Sequence, residues 1–312
     1  ALTLCVIGDN TAVGSSAMAA TTSGTYNTAV GKSAMVANQG GANNVAIGAF
    51  ALDGGSPSYN IAIGVNAIGA AATGSSNVGI GTGAMGANTS GTFNVAIGHD
   101  AMTDNTEGSS NTVIGYLAAQ QMTDANRNIY IGALSGSQVD ANTGDDNVVI
   151  GHSAAYSLNS GTENVLIGNN AGKLLNNDHY NVMIGQNAGQ YHQGGSQTFV
   201  GFNAGAGTTP MGGSVGNTAM GYDALRNINQ GDHNTAIGHF AGTATTTGLY
   251  NTFIGGYAGA DANGNSNGNT CLGYDTGGAI TTGGANTCLG YQAGGYTALT
   301  NAITTGSYNI LI

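Results

Sequence analysis

The stretch Asn94-Val95-Ala96-Ile97-Gly98 is followed 17 residues later by Asn111-Thr112-Val113-Ile114-Gly115, and the same pattern recurs along the 312-residue chain. We number the repeat from this Asn, which is position 0, so that Gly is position 4. Position 3 is always Ile, Val, Leu or Met, and position 4 is Gly in all 17 complete copies. Position 7 is Ala in 15 of them, and eleven of the 17 steps between copies are 17 residues long. Such fixed spacing predicts a repeat architecture. Position 0 falls at Asn10, Asn27, Asn44, Asn60, Asn77, Asn94, Asn111, Asn128, Asn147, Asn164, Asn181, Gln197, Asn217, Asn234, Asn251, Asn269, Asn286 and, in an incomplete copy, Asn309.

A 17-residue unit is too short for a helical repeat of two helices, but it suits one β-coil of two short strands and two turns. We therefore predict an all-β fold, a parallel β-solenoid or β-roll of about 18 coils. Coils stacked ~4.8 Å apart would make a rod roughly 85 Å long. Equivalent residues then form ladders along the axis, in which Asn amides exchange hydrogen bonds and Gly takes a backbone conformation closed to other residues. The ladder residues that we single out are Asn27, Asn94, Asn111, Gly31, Gly98, Gly115, Ile97 and Ile114.

The composition excludes several classes of protein. Glycine is abundant at 56 residues, but Pro is only 2, so collagen is excluded, and the 41% of apolar residues argue against disorder. Only four residues are basic and the formal charge is −11, so no nucleic-acid footprint can be assembled. No apolar stretch is long enough to span a membrane, so we expect no membrane insertion by this segment. No signal peptide is visible.

The apolar positions of the repeat predict a two-sided environment for the strand. Positions 1 to 3 are mostly apolar or Thr, which predicts burial on both faces and a second layer from this chain or a partner. The side chains at positions 2 and 8 also vary in size in opposite directions. Where position 2 is small, as at Ala96, position 8 is large, as at Met102; where position 2 is large, as at Phe199, position 8 is small, as at Gly205. Only Ala236 with Gly242 leaves both small. Close packing of one shared cavity explains the exchange, inside one chain or on a symmetry axis.

The units at residues 234–238, 251–259 and 286–294, such as Asn-Thr-Cys-Leu-Gly-Tyr-Gln-Ala-Gly, resemble two related groups of repeats. One is the head of trimeric YadA-like autotransporter adhesins, and the other is the repeat array of phage tail fibres, which the 17-residue period resembles more closely. The resemblance implies a homotrimer of parallel β-rolls that attaches to a host or surface without catalysis. It implies a location in a virion tail fibre or at the cell surface, with a host glycan or protein receptor as partner.

The repeat also predicts the organisation of the chain. Residues 1–9 are predicted to form a partial coil or junction, and residues 10–312 are predicted to form one continuous solenoid shaft. The last copy stops mid-coil at Ile312, so we expect further chain beyond it. Departures from the period predict surface insertions, which are common recognition sites, at residues 133–146, 202–216, 256–268 and 291–308.

Aromatic residues at position 5 are the candidate receptor contacts, because rings can stack on sugars; packing between subunits or in lateral ladders is the alternative. We single out Tyr116, Tyr222, Tyr274 and Tyr291. The six His residues do not share a coil, and no constellation of acids predicts catalysis, so we expect no metal, no cofactor and no enzyme activity. Cys271 and Cys288 fall at one position of adjacent coils, which indicates two stacked buried thiols.

Three other functions fit the same repeat. The first is a bacterial trimeric surface adhesin, which a C-terminal membrane anchor in the full gene would favour over a tail fibre. The second is an ice-binding solenoid, which needs a regular array of Thr on an exposed face. Thr fills position 1 in about half of the coils, but its exchange with Val and Ile favours burial. The third is a self-assembling extracellular filament.

Overall fold

The computed structural model describes residues 8–69, 72–137, 142–208, 213–262, 266–295 and 304–312. The chain divides into two compact units, residues 1–160 and residues 161–312. The described residues contain no helix, and each unit is a parallel β-solenoid built from the 17-residue repeat. The predicted all-β solenoid fold is therefore confirmed.

Strands of the first unit pair in chain order, each parallel to the next and in register. Val95 pairs with Thr112 and Ile97 with Ile114, so the two copies quoted first are hydrogen-bonded neighbours. The strands of this unit are β1 (Thr11–Val13), β2 (Thr28–Val30), β3 (Val45–Ile47), β4 (Ile61–Ile63), β5 (Val78–Ile80), β6 (Val95–Ile97), β7 (Thr112–Ile114), β8 (Ile129–Ile131) and β9 (Val148–Ile150).

The second unit repeats the arrangement with the same parallel pairing and register. Its strands are β10 (Val165–Ile167), β11 (Val182–Ile184), β12 (Thr198–Val200), β13 (Thr218–Met220), β14 (Thr235–Ile237), β15 (Thr252–Ile254), β16 (Thr270–Leu272), β17 (Thr287–Leu289) and β18 (Ile310–Leu311). Every strand except β18 covers positions 1 to 3 of one repeat.

Each described coil has one strand, not the two that the repeat length predicted. After the Gly corner the backbone becomes left-handed at position 6 and again at position 8, as at Ser16 (φ 61°) and Met18 (φ 52°). Left-handed residues interrupt an extended strand, so the return path of the coil is made of turns. Hydrogen bonds to the next coil hold these turns, for example from Met18 N to Ala34 O at 3.0 Å.

The core of each coil lies on one side of its strand. Position 2 is buried in every three-residue strand, whereas positions 1 and 3 are half-buried or exposed. Of the two sources predicted for a second layer, the described part of this chain does not supply one, and a partner chain stays a prediction. Three apolar residues in succession indicated a second apolar surface, which one chain leaves open to solvent.

The volume exchange between positions 2 and 8 takes place inside one chain. A Cβ added to Gly136 or to Gly205 would overlap the ring of Tyr130 or Phe199 of its own coil. The pair Ala236 and Gly242, in which both residues are small, is filled from outside its coil. A Cβ at Gly242 would come within 2.8 Å of Phe253 and 2.9 Å of Leu225, so side chains of the two adjacent coils occupy the space.

Position 11 is a core position in addition to positions 2, 7 and 8, and sequence reasoning missed it. Its residues are polar in some copies and apolar in others, which hid the pattern, although their distance from position 0 is constant. The buried residues at this position are Asn38, Asn88, Asn105, Met122, Leu158, Leu175, His192, Ile228, Thr245, Ala262 and Ile280.

Candidate functional site

The Asn ladder connects each coil to its neighbours through backbone as well as side chains. Asn111 Nδ2 donates to Ala125 O at 2.8 Å and to Asn94 Oδ1 at 3.1 Å. Asn94 Oδ1 also accepts from the backbone N of Asn111 at 2.9 Å. Asn27 makes the equivalent bonds, from its Nδ2 to Gly41 O and from Asn44 N to its Oδ1. One buried amide therefore closes its own coil and fixes the register of the next.

The Gly ladder has the backbone conformation expected of it, and it also brings successive coils into close contact. Gly31, Gly98 and Gly115 have φ values of 143°, 143° and 144°, a region that L side chains rarely adopt. A Cβ at any of them would also overlap the carbonyl of the Gly in the next coil. Successive corners are therefore in backbone-to-backbone contact.

Position 7 is buried and holds a small residue. In the two copies where it is not Ala, the additional hydroxyl group makes a hydrogen bond. Ser135 Oγ donates to Gly132 O at 2.9 Å, and Thr276 Oγ1 donates to Gly273 O at 2.7 Å. In both cases the acceptor is the corner Gly three residues earlier. The hydroxyl is thus satisfied without leaving the core.

Positions 1 and 3 form an aliphatic surface on each unit, which we call the sheet face. Ile97 and Ile114, singled out from the sequence, lie on it half-buried, and they pair in register. The more exposed large members of the sheet face are Val13, Val30, Ile47, Ile61, Ile129, Ile184, Met220, Ile237, Leu272 and Leu289.

The four candidate receptor tyrosines are exposed, and each contacts another ring. Tyr116 lies 5.8 Å from His99, between ring centroids, at an angle of 39°. Tyr222 stacks on Phe202 at 5.1 Å and 16°, and Tyr274 stacks on Tyr291 at 5.7 Å and 10°. His239, Phe240 and Tyr257 complete a continuous set of contacts in the second unit. We call this set of seven rings, from Phe202 to Tyr291, the aromatic column.

Stacking limits what the aromatic column can do. Parallel rings cover one another's faces and present mainly edges and hydroxyls to solvent. A sugar needs an open ring face for stacking, so the stacked pairs favour the lateral-ladder interpretation over receptor contact. The candidate residues are thus brought together, but in an arrangement that uses their faces internally.

Exposed rings at position −1, just before the Asn, were missed by the sequence analysis: Tyr180, Tyr250 and Tyr308 are such rings in the second unit, and the first unit has three. Tyr26, Tyr59 and Phe93 are 62%, 64% and 66% exposed. Their backbones are left-handed, with φ values of 58°, 62° and 59°. Within the described ranges none of them contacts another ring. A search for rings at any constant position, rather than after the corner, would have found them. We call these three residues the ring row.

The remaining candidate groups are the two cysteines, possible metal ligands and a pair of adjacent acids. Cys271 and Cys288 are buried free thiols at paired positions of β16 and β17, and their mutual hydrogen bond together with burial raises the pKa of Cys271. Within the described part of the chain, no group of three or more His, Cys, Asp and Glu could hold a metal ion. Asp145 and Asp146 do come together, because both bind Arg127 at the surface, and this contact lowers the pKa of Asp146.

Parts of the four expected insertions lie outside the described residues, namely 138–141, 209–212, 263–265 and 296–303. The same holds for residues 1–7 of the expected junction. In the part of the chain that is described, no helix is long and apolar enough to cross a bilayer. No protein-family model matches the chain, and no curated protein sequence matches it. The resemblance to adhesin and tail-fibre repeats therefore stays a prediction.

Proposed function

We propose that the chain is a structural shaft of a phage tail fibre, a parallel homotrimer that attaches a particle to a host or surface without catalysis. The observation that carries the proposal is the sheet face. Apolar side chains at position 3 recur in every strand of three residues in both units, and in one chain they are half-buried or exposed. Monomeric soluble proteins rarely expose a continuous apolar surface of this kind, so a partner must cover it.

A second and third copy of the same chain suit this surface best. The sheet face has the same repeat as the coils, so an identical parallel chain offers a matching aliphatic residue at every level. Closed symmetry also leaves no copy with an uncovered face, and the three-fold form is the one that the resemblance implies. Threonine at position 1 tolerates such an interface because its methyl group packs while its hydroxyl can find a partner.

Solution mass tests the assembly. The chain has a mass of 30.6 kDa, and light scattering on the purified protein should give three times this value. The double variant Ile47→Lys with Ile184→Lys places one lysine on the sheet face of each unit. It should be a folded monomer, because these charges cannot be buried between chains. Thr82→Lys with Gln186→Lys adds the same charge at exposed corner positions of both units and should leave the mass unchanged. A wild-type monomer would refute the assembly.

Ice binding is the second candidate function, and one observation favours it. Six successive coils of the second unit have Thr at position 1 in register. These residues are Thr198, Thr218, Thr235, Thr252, Thr270 and Thr287. Thermal hysteresis in dilute protein, together with a monomeric mass, would favour this function over the fibre.

A further inference from the structure

The ring row has a regular spacing, with one ring in every second coil. Tyr26, Tyr59 and Phe93 occupy position −1 of alternate coils, so consecutive rings are two coil spacings apart, or roughly 9.6 Å. Their backbone environments are equivalent, because each N–H donates to the preceding coil: Tyr26 to Gly8 O, Tyr59 to Ala42 O and Phe93 to Ser75 O. The three rings therefore project from equivalent points of one surface.

The residues between the rings are small and polar. Asn43 and Ser76 fill position −1 of the intervening coils, with the same left-handed backbone at φ values of 60° and 61°. An additional ring in either place would be one coil spacing away, the distance at which Phe202 and Tyr222 stack. Because the intervening residues are not aromatic, the faces of the ring row are not used by neighbouring rings.

The surface around the ring row is uncharged and rich in hydroxyl and amide groups. The turn segments 21–26, 38–43, 54–59, 72–76 and 88–93 contain no Asp, Glu, Lys, Arg or His, although the chain has a net charge of −11. Thr22, Gln39, Ser56, Thr73 and Ser90 are exposed there. At the equivalent positions of the flanking coils, Asp9 lies one coil before Tyr26 and Glu107 lies one coil after Phe93, so an acid bounds the uncharged surface at each end. This surface has no charge complementary to nucleic acid, anionic lipid or a charged peptide.

We propose that the ring row binds a linear, neutral β-1,4-linked polysaccharide, which lies along the coil axis with alternate sugar rings stacked on Tyr26, Tyr59 and Phe93. An extended β-1,4-linked chain repeats every two sugars, over a length close to two coil spacings. The apolar face of a pyranose suits an open aromatic face, and its hydroxyls suit the surrounding polar groups. The inference deepens the attachment part of the proposed function by naming a class of receptor, but it does not depend on the trimer.

Calorimetric titration of the full chain with cellohexaose and chitohexaose tests the proposal, with the α-linked maltohexaose as control. At least one β-linked hexamer should bind, and maltohexaose should bind about tenfold more weakly because its chain curves away from a straight row. Failure of both β-linked hexamers to bind, or equal binding of maltohexaose, would overturn the proposal.

Two substitutions locate the site. Tyr59→Asn replaces the middle ring by Asn, the residue found at the same position of the preceding coil as Asn43. This substitution should weaken glycan binding about tenfold. Asn43→Tyr should also weaken binding, although it adds aromatic surface, because the new ring would stack on its neighbours. Tighter binding by Asn43→Tyr would mean a general apolar surface, and unchanged binding by Tyr59→Asn would mean another site; either result refutes the ring row.

A control variant and a parallel measurement complete the test. Tyr180→Asn changes the same repeat position in the second unit, where Glu163 and Ser196 flank it, and it should leave the affinity unchanged. An equal loss of affinity in this variant would count against the ring row. Light scattering on the same samples measures the mass of the assembly independently. If the glycans do not bind but the mass is that of a trimer, the glycan site is refuted and the trimer is not. Thermal melting confirms that each variant is folded.

Discussion

Gly98 directly follows β6, has a φ of 143° and contacts the backbone of Gly115 in the next coil. A side chain at this position meets two obstacles, an unfavourable backbone region and a carbonyl group that cannot move without disturbing the next coil. The sequence predicted the first obstacle, because a glycine at the same position of all 17 complete copies indicates a backbone that no other residue tolerates.

Gly98→Ala should therefore destabilise the protein by about 3 kcal/mol or more in denaturant unfolding. Gly40→Ala is the matched control in the same unit, because a Cβ there meets only the hydroxyl of Ser23 at 3.2 Å, which can rotate away. We expect the control to change stability by less than about 1 kcal/mol. Equal stabilities of the two variants would contradict the close contact between corners.

His192 illustrates a residue whose role the sequence did not reveal. It lies at position 11, buried, with Nε2 within 2.9 Å of Ser214 Oγ and its ring 5.0 Å from Phe199 in an edge-on arrangement. Burial lowers the pKa of His192 to about 4 from its usual 6.5. Leu175 fills the same position one coil earlier, so the site accepts an apolar residue.

Stability should consequently depend on pH through His192. Between pH 6.5 and pH 4 the unfolded chain binds the proton that the folded chain excludes, so stability falls as the pH is lowered, by up to about 1.4 kcal/mol per pH unit. Above pH 7 this contribution is constant. His192→Leu should remove this contribution, so that the variant loses less stability than wild type over this window, as read from urea unfolding at each pH. The same slope in wild type and variant would show that His192 is not the group responsible.

At the scale of the coil, the sequence predicted the period, the ladders and the shared cavity, but it did not predict the path of the chain after the corner. Met18 and Met35 adopt left-handed backbone conformations, which Met seldom takes. No residue near them in the sequence, such as a Gly at the same position, predicts these conformations. Their N–H groups are held by carbonyls of the adjacent coil, at Ala34 and Ala51. Contacts between coils thus override local preference, which is why two strands were expected where one forms.

The ring row escaped prediction for a related reason. Which way a position −1 side chain points depends on the left-handed turn that precedes the strand, and the turn is set by hydrogen bonds between coils. The sequence alone therefore does not distinguish Tyr26 or Phe93 from ordinary turn residues. The candidate tyrosines at position 5 were correctly expected near the surface, but their mutual stacking depends on distances that only the coil spacing provides.

A double-mutant cycle tests the shared cavity of positions 2 and 8. Phe199→Ala should cost about 3 to 5 kcal/mol through the cavity it leaves. Gly205→Leu alone should be destabilising because its side chain would overlap the Phe199 ring. Together the two changes reproduce the arrangement Ala219 with Leu225 of the next coil, so the pair should be more stable than the sum of the single changes by about 1 to 3 kcal/mol. Strict additivity would mean that the two positions do not share space.

At the scale of the molecule, the same columns that build the core also build its surfaces. In-register stacking repeats an aliphatic residue at every level of the sheet face, and it places Tyr26, Tyr59 and Phe93 on one line. The proposed trimer and the proposed glycan site use different columns of the repeat. Both depend on the same condition, that each copy of the repeat lies directly over the one before it.

Spin-label EPR measures that condition directly. Nitroxides at Thr22 and Gln39, exposed residues on adjacent coils whose backbones are hydrogen-bonded, should lie within about 10 Å and broaden each other's spectra strongly. The labels need a background in which the native cysteines are replaced, and singly labelled samples give the baseline. Labels at Thr22 and Glu107, five coils apart at roughly 24 Å, should show little broadening. Equal broadening in the two pairs, or none at Thr22 and Gln39, would contradict the stacked register.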